Sequence, residues 1–224
     1  MWKVSAFRCA HLAVPAAIGL ACSAIAGEQR YEPLAASVQA AMHGSVADRA
    51  SPALVFATPQ HGKAWLSAMS PRLAQHMSDE TTRLDFLMTV QYEAMRAGLD
   101  PQMVLGLIEV ESKFRKYAVS RAGARGYMQV MPFWVDVIGS EQHDLFKLRT
   151  NLRYGCVILR HYLDIEGGDT YRALARYNGS LGTESAYAEK VVRAWHTRWM
   201  FSTGSTARVS PNQAAPLRYK GWVQ

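Results

Sequence analysis

No aspartate or glutamate occurs in residues 112–135 of this 224-residue chain, although five basic residues do: Lys113, Arg115, Lys116, Arg121 and Arg125. The gap opens directly behind two glutamates, Glu109 and Glu111. Cysteine is almost as scarce, at 3 residues, and two of them, Cys9 and Cys22, fall near the N-terminus. Cys156 alone is left for the folded part, which excludes an internal disulfide there. The 7 histidines show no metal-ligand spacing. His161 and His196 fall on predicted helices and read as packed or surface residues, so neither a metal nor a cofactor is expected. The formal net charge of +7 comes from scattered basic residues without a nucleic-acid motif. It suits contact with anionic polymers or membrane surfaces and argues against nucleic acid. No internal repeat stands out.

A marked apolar run occurs near the N-terminus. Lys3 and Arg8 precede an alanine-rich stretch that ends in Ala24-Ile25-Ala26, a small-x-small pattern before Gly27. This predicts a signal peptide over residues 1–26 and export to the periplasm. A membrane anchor is the competing reading, but the run is short and broken by Pro15. Cys22 behind Gly19-Leu20-Ala21 resembles a lipoprotein box loosely, so lipid anchoring is a minority alternative. Export with a single remaining cysteine fits a bacterial periplasm better than a disulfide-stapled secreted domain. The expected organisation is a signal peptide (1–26), a helical N-terminal extension (27–80) packed on a main domain (81–201), and a mobile tail rich in Ser, Pro and Gly (202–224).

The main domain reads as predominantly helical. Ser78 or Asp79 caps a helix bearing Leu84, Leu87, Met88, Gln91 and Met95, and Gly98 stops it. Asp100-Pro101 starts the next. There Val104, Leu107, Ile108 and Glu111 fall at i, i+3, i+4 and i+7 and share one face. Glu109 lies roughly 200° away from Glu111 around the axis and reads as solvated. After Phe114 the helical period gives way to turns at Ser120, Gly123 and Gly126, until another helix begins near Met131. Later helices are expected from Thr150 or Asn151 to Gly167, from Thr170 to Gly179, and from Thr183 onward.

A carboxyl group that ends an apolar stripe is drawn into a poorly solvated site, where burial raises its pKa and keeps it protonated. Glu111 is therefore a candidate proton donor to a leaving oxygen; the bland alternative is a solvated glutamate at a frayed helix end. If the reaction is glycosidic, a second carboxylate is normally required. Asp136, Glu141 and Asp144 are the next acids along the chain and are remote, so a single-acid mechanism using the substrate's own groups is attractive.

The residues Glu111-Ser112, Ala118-x-Ser120-x-x-Gly123-Ala124-x-Gly126, Met128-Gln129-Val130-Met131-Pro132 and Tyr177-Asn178-Gly179 occur in that order. Together they resemble the signature of the soluble lytic transglycosylase family, over roughly residues 84–200. The resemblance implies an α+β, predominantly α-helical, lysozyme-like fold with a small turn-rich or β segment after the catalytic helix. It implies cleavage of the β-1,4 bond between MurNAc and GlcNAc in peptidoglycan, with 1,6-anhydro ends as product. Glu111 matches the family's catalytic glutamate, acting first as acid and then as base. Ser120, Gln129, Met131 and Tyr177 match positions lining the sugar cleft, with Tyr177 near the acid or the N-acetyl group, and Asn178 shapes the turn. Alternatives stand beside these: Ser120 as a turn residue, Met131 as core, Gln129 as a partner of backbone groups. Tyr187 matches a tyrosine read as packing. Tyr127 and Phe133-Trp134 depart from the family pattern and bring extra aromatic surface, for a sugar ring or for the core.

The implied partners are glycan strands and, besides them, proteins of the cell wall or of a secretion machine; the sequence is silent on oligomeric state. A lysozyme-type hydrolase of the same bond and a non-catalytic murein-binding or assembly protein are the other function classes.

Overall fold

The computed structural model describes residues 29–47, 56, 58–184 and 186–202. The expected signal peptide, the Cys22 site and nearly all of the expected tail lie outside the described residues. Eight α-helices occur among the described residues: α1 (Ala36–Ala47), α2 (Pro59–Leu73), α3 (Glu80–Arg96), α4 (Pro101–Ser112), α5 (Phe133–Ile138), α6 (Leu148–Ile165), α7 (Thr170–Tyr177) and α8 (Tyr187–Ala194). A π turn, Trp195–Trp199, continues α8.

Local chemistry sets the ends of the helices around α4. Asp79 caps α3 by accepting the Thr82 N–H at 2.7 Å, and Asp100 caps α4 by accepting the Gln102 N–H at 2.7 Å. Both carboxylates thus satisfy donors that a helix start leaves open. Between the two helices Gly98 takes φ +67°, a left-handed turn that glycine adopts without a side-chain clash. Helix α4 ends where Lys113 and Phe114 turn left-handed, at φ 51° and 60°. The C-terminal helices begin elsewhere than expected. α6 starts at Leu148, before Asn151. Asp169 rather than Thr170 caps α7, accepting the Arg172 N–H at 3.0 Å. α8 starts at Tyr187, four residues after Thr183.

Helix α4 runs through the centre of the core. Val104, Leu105, Leu107 and Ile108 are all fully buried, and the same hydrophobic cluster takes in Met42 and Val46 of α1 and Trp65, Met69 and Leu73 of α2. The helices before residue 80 therefore share one core with those after it. Gly106 lets α4 approach the end of α8: a Cβ there would meet the Trp195 backbone nitrogen at 2.9 Å and the Val191 carbonyl oxygen at 3.1 Å. Both are backbone atoms and cannot step aside independently. Gly106→Ala is therefore expected to cost about 1–3 kcal/mol in denaturant unfolding by forcing the helices apart. An unchanged unfolding midpoint would contradict this packing.

The segment between α4 and α5 is turn-rich, as expected. Its β content is limited to two isolated antiparallel bridges, Val119 with Arg125 and Arg125 with Val130; no named strand occurs among the described residues. Pairing stops there because each bridge spans a tight turn: the Arg125 and Val130 N–H and C=O groups exchange two bonds, at 2.9 and 3.0 Å, and the chain then enters α5.

Candidate active site

Glu111 stands in the last turn of α4, on the side of the helix that faces α8. Its carboxyl accepts a short hydrogen bond at Oε1 from the Tyr187 hydroxyl, at the start of α8. Burial pushes the Glu111 pKa up to about 8, and the Tyr187 bond pulls it part of the way back. Among the described residues no charged group contributes to that shift. The residue keeps some contact with solvent. A carboxyl with this pKa is protonated at neutral pH, and its proton belongs on Oε2, because Tyr187 donates to Oε1. The result is an acid whose free O–H is aimed by a tyrosine. Burial, followed by the nearby Glu111, holds the Tyr187 hydroxyl well above its ordinary pKa, so it remains a donor.

The family resemblance assigns Tyr187 to packing alone; the structure adds a polar role. The helix before it, α7, delivers Tyr177, which is fully buried. Its hydroxyl donates to the Met128 carbonyl at 2.7 Å. Burial first, and then the proximity of Glu111, raise the Tyr177 pKa well above normal. Tyr177 thus lies near the acid and ties the turn-rich segment to α7.

The remaining candidates are bound largely to backbone. Ser120 Oγ accepts the Ala124 N–H at 3.1 Å, closing the turn. Gln129 is buried at φ 49°, and its Nε2 donates to the Gly126 and Ala118 carbonyls at 2.9 and 3.2 Å. Met131 is partly buried and packs on the core. Asn178 is the C-cap of α7, its N–H donating to the Leu174 carbonyl at 3.0 Å. The departing aromatic residues also serve the core: Tyr127 is buried, 4.9 Å from the ring of Phe86, and Trp134 is buried beneath Phe133.

Glu109 is a correction. Rather than being solvated, it accepts the Trp199 indole N–H at 2.7 Å and pairs with Arg198 at 2.7 Å. The π turn after α8 folds back over that side of α4, an arrangement that helical spacing within α4 alone does not reveal.

Two further residues position the site. Asn151, buried in α6, accepts the Met128 N–H at 2.8 Å and donates to the Arg125 and Leu145 carbonyls, both at 2.8 Å. Gly126, at φ +75°, leaves room for it: a Cβ there would lie 2.4 Å from Asn151 Nδ2. The signal in the sequence was a polar residue on the apolar stripe Asn151, Gly155, Ile158 and Tyr162. Gln29 spans the other edge of the segment, donating to the Gln129 carbonyl at 3.0 Å and accepting the Met131 N–H at 2.9 Å. Asp136, Glu141 and Asp144 are all exposed. Asp144 caps the Phe146 N–H at 2.9 Å. No cluster of metal-ligating side chains occurs among the described residues. A groove of about 600 Å³ between α1 and α6 is lined by Met42, Arg96, Val157 and His161 and does not include Glu111.

The helical frame thus holds one carboxylic acid, Glu111, beside two tyrosines, with no charged group among the described residues shifting it. Residues 88–195, just under half of the chain, match the family model of the transglycosylase SLT domain. A membrane-bound lytic murein transglycosylase C from Glaesserella parasuis is 44% identical over 62 residues, covering 28% of this chain and 16% of that protein. One of the same name from Actinobacillus pleuropneumoniae is 40% identical over 73 residues, covering 33% of this chain and 20% of that protein. The chain thus spans a fifth or less of the length of these two relatives. Among solved structures, an inactive mutant of lytic transglycosylase Slt from Pseudomonas aeruginosa aligns over 60% of this chain and 25% of its own, at 21% identity and a TM-score of 0.39.

Proposed function

We propose that the protein is a peptidoglycan lytic transglycosylase in which Glu111 is both acid and base. The observation that carries this reading is the Glu111 carboxyl, raised by burial to a pKa near 8 with no charged group among the described residues contributing, and held by a tyrosine on one oxygen. In the proposed reaction the Oε2 proton passes to the glycosidic oxygen as the bond from that oxygen to the MurNAc C1 breaks. The Glu111 carboxylate then takes the proton of the 6-hydroxyl of the same MurNAc. That oxygen closes on C1, giving the 1,6-anhydro ring and restoring the acid. Water is not consumed, so no second carboxylate is required to activate it.

Cleft-lining roles for Ser120, Gln129, Met131, Tyr177 and Asn178 belong to the same proposal. They act mainly by holding the segment whose exposed edge meets the glycan. The substrate is the glycan strand of the cell wall, and the site of action is the bacterial envelope. The relatives are named as membrane-bound proteins, which supports action at a membrane surface of the envelope. No described helix is long and apolar enough to cross a membrane. The domain limits 27–80 and 81–201 are retained as functional units within one shared core.

The test is digestion of purified sacculi followed by mass spectrometry of the soluble fragments. Anhydro ends are expected; reducing ends would make the protein a hydrolase, and binding without release would make it a murein-binding protein. Tyr187→Phe is expected to lower kcat by about tenfold through loss of carboxyl orientation. Because its hydrogen bond favours the charged carboxylate, its removal should also move the alkaline limb of the pH profile to higher pH. A rate loss with an unmoved limb would contradict the orienting role.

A further inference from the structure

Among the described residues, no acid neutralises the five basic residues of the acid-free segment. Several arginines elsewhere form ion pairs: Arg153 with Glu93, Arg160 with Asp164, Arg172 and Arg176 with Glu166. Lys113, Arg115, Lys116, Arg121 and Arg125 are all exposed, and none makes an ion pair among the described residues.

Two of them frame an aromatic surface. The Tyr117 side chain is 70% exposed, and its ring lies 5.8 Å from that of Phe146. Lys116 Nζ sits 5.1 Å from the Tyr117 centroid, and the Arg125 guanidinium carbon 6.0 Å from that of Phe146. The four side chains form a continuous cation–aromatic–aromatic–cation strip. Its backbone is fixed: Arg125 is held by both bonds of its bridge to Val130 and by the donation from Asn151, while the Asp144 cap holds Phe146. An exposed tyrosine braced in this way is a ready contact surface that needs little ordering on binding. The inner side of the same segment gives the Met128 carbonyl to Tyr177, beside Glu111. Lys116, Tyr117 and Arg125 of the strip thus belong to the same segment that Tyr177 holds beside the acid.

We propose that the strip formed by Lys116, Tyr117, Arg125 and Phe146 binds the carboxylate-bearing peptide stems of the glycan strand next to the point of cleavage. This rests on the peptidoglycan reading of the active site and adds a preference within it. The exposed Tyr117 ring, with the partly buried Phe146 ring beside it, offers an apolar face for the backbone and side-chain groups of a short peptide. Cations on both ends meet its carboxylates, a complementarity that weakens with salt. The sugars of a stem-bearing strand add no charge of their own, because each lactyl carboxyl is held in the amide to its stem, so the carboxylates the cations can meet are those of the stem.

The test separates binding from catalysis by using the full chain with Glu111→Gln. Its affinity is measured for stem-bearing glycan strands and for β-1,4-linked N-acetylglucosamine strands of the same length, which carry neither stem nor carboxylate. Stem-bearing strands are expected to bind about tenfold tighter, the scale of two exposed ion pairs. Adding Lys116→Glu and Arg125→Glu should reduce that preference to about twofold or less, and raising the salt should have the same effect. Lys116→Glu alone, at a fully external position, should move the preference in the same direction and guards against disturbance of the bridge at Arg125. Equal binding of both strands, or a preference that survives the charge reversals, overturns the proposal. Absence of anhydro ends from the unsubstituted protein would instead overturn the catalytic reading, and this binding comparison does not depend on it.

Discussion

Glu111→Gln is expected to reduce release of soluble fragments from sacculi by about a thousandfold, the scale of losing a positioned acid and base. The amide matches the carboxyl in size and still accepts the Tyr187 hydrogen bond, but it has no proton to give and cannot take one back. The substitution should also change stability, with a sign that depends on pH. The folded-state pKa of Glu111 is raised, from 4.5 to about 8, mainly by burial. Its neutral form therefore favours folding fully below the unfolded pKa. That contribution is lost as the pH rises through about 8, where the buried group must ionise. The loss is on the order of 3 kcal/mol, reduced by the solvent contact the residue retains. Glutamine has no such ionisation. Thermal melts should therefore show the variant and the parent alike near pH 5 and the variant more stable near pH 9. Parallel melting curves across that range would mean that Glu111 is not held in a poorly solvated site.

The second large effect concerns stability alone. Glu93 of α3 is buried to 1% exposure and faces Arg153 at 2.9 Å, with Arg149 and Arg96 each at 3.3 Å. Arg149 and Arg96 are partly exposed and can swing into solvent when the carboxylate is removed. Arg153 is more enclosed: its side chain is 9% exposed, and its bond to the neutral Val46 carbonyl at 3.3 Å brings no counter-charge. Glu93→Ala is expected to cost about 3–5 kcal/mol, a fall in Tm of roughly 10 °C. Replacing both partners, Glu93→Leu with Arg153→Met, should recover most of it, because the cost lies in stranding a buried charge rather than in losing the pair. If the double variant is as unstable as Glu93→Ala, the charge is not what the core fails to tolerate.

Much of this architecture was legible because it is local. Asp79, Gly98, Asp100 and Pro101 signal helix ends through side-chain and backbone preferences that act within one turn, and the apolar stripe of α4 points to Glu111 by spacing alone. Contacts between distant segments were not legible. Tyr187 lies 76 residues from Glu111, and the periodicity of α8 places it on a buried face without saying what it meets. Glu109 was misread for the same reason, since its partners come from the π turn some 90 residues later. The carboxamides of Asn151 and Gln29 fix the turn-rich segment, yet each looks like an ordinary polar residue until the backbone groups it satisfies are in place. The acid-free run was visible from the outset, but a sequence cannot tell cations that will be paired in the fold from cations left open.

The central claim is that the bond is broken by one carboxyl without water. Digestion of sacculi in heavy-oxygen water tests it most directly. The muropeptide ends released by the protein are expected to carry no solvent oxygen and to have the mass of the anhydro ring. Ends that carry one solvent oxygen each would show that water attacks, and would contradict a mechanism in which Glu111 needs no second carboxylate.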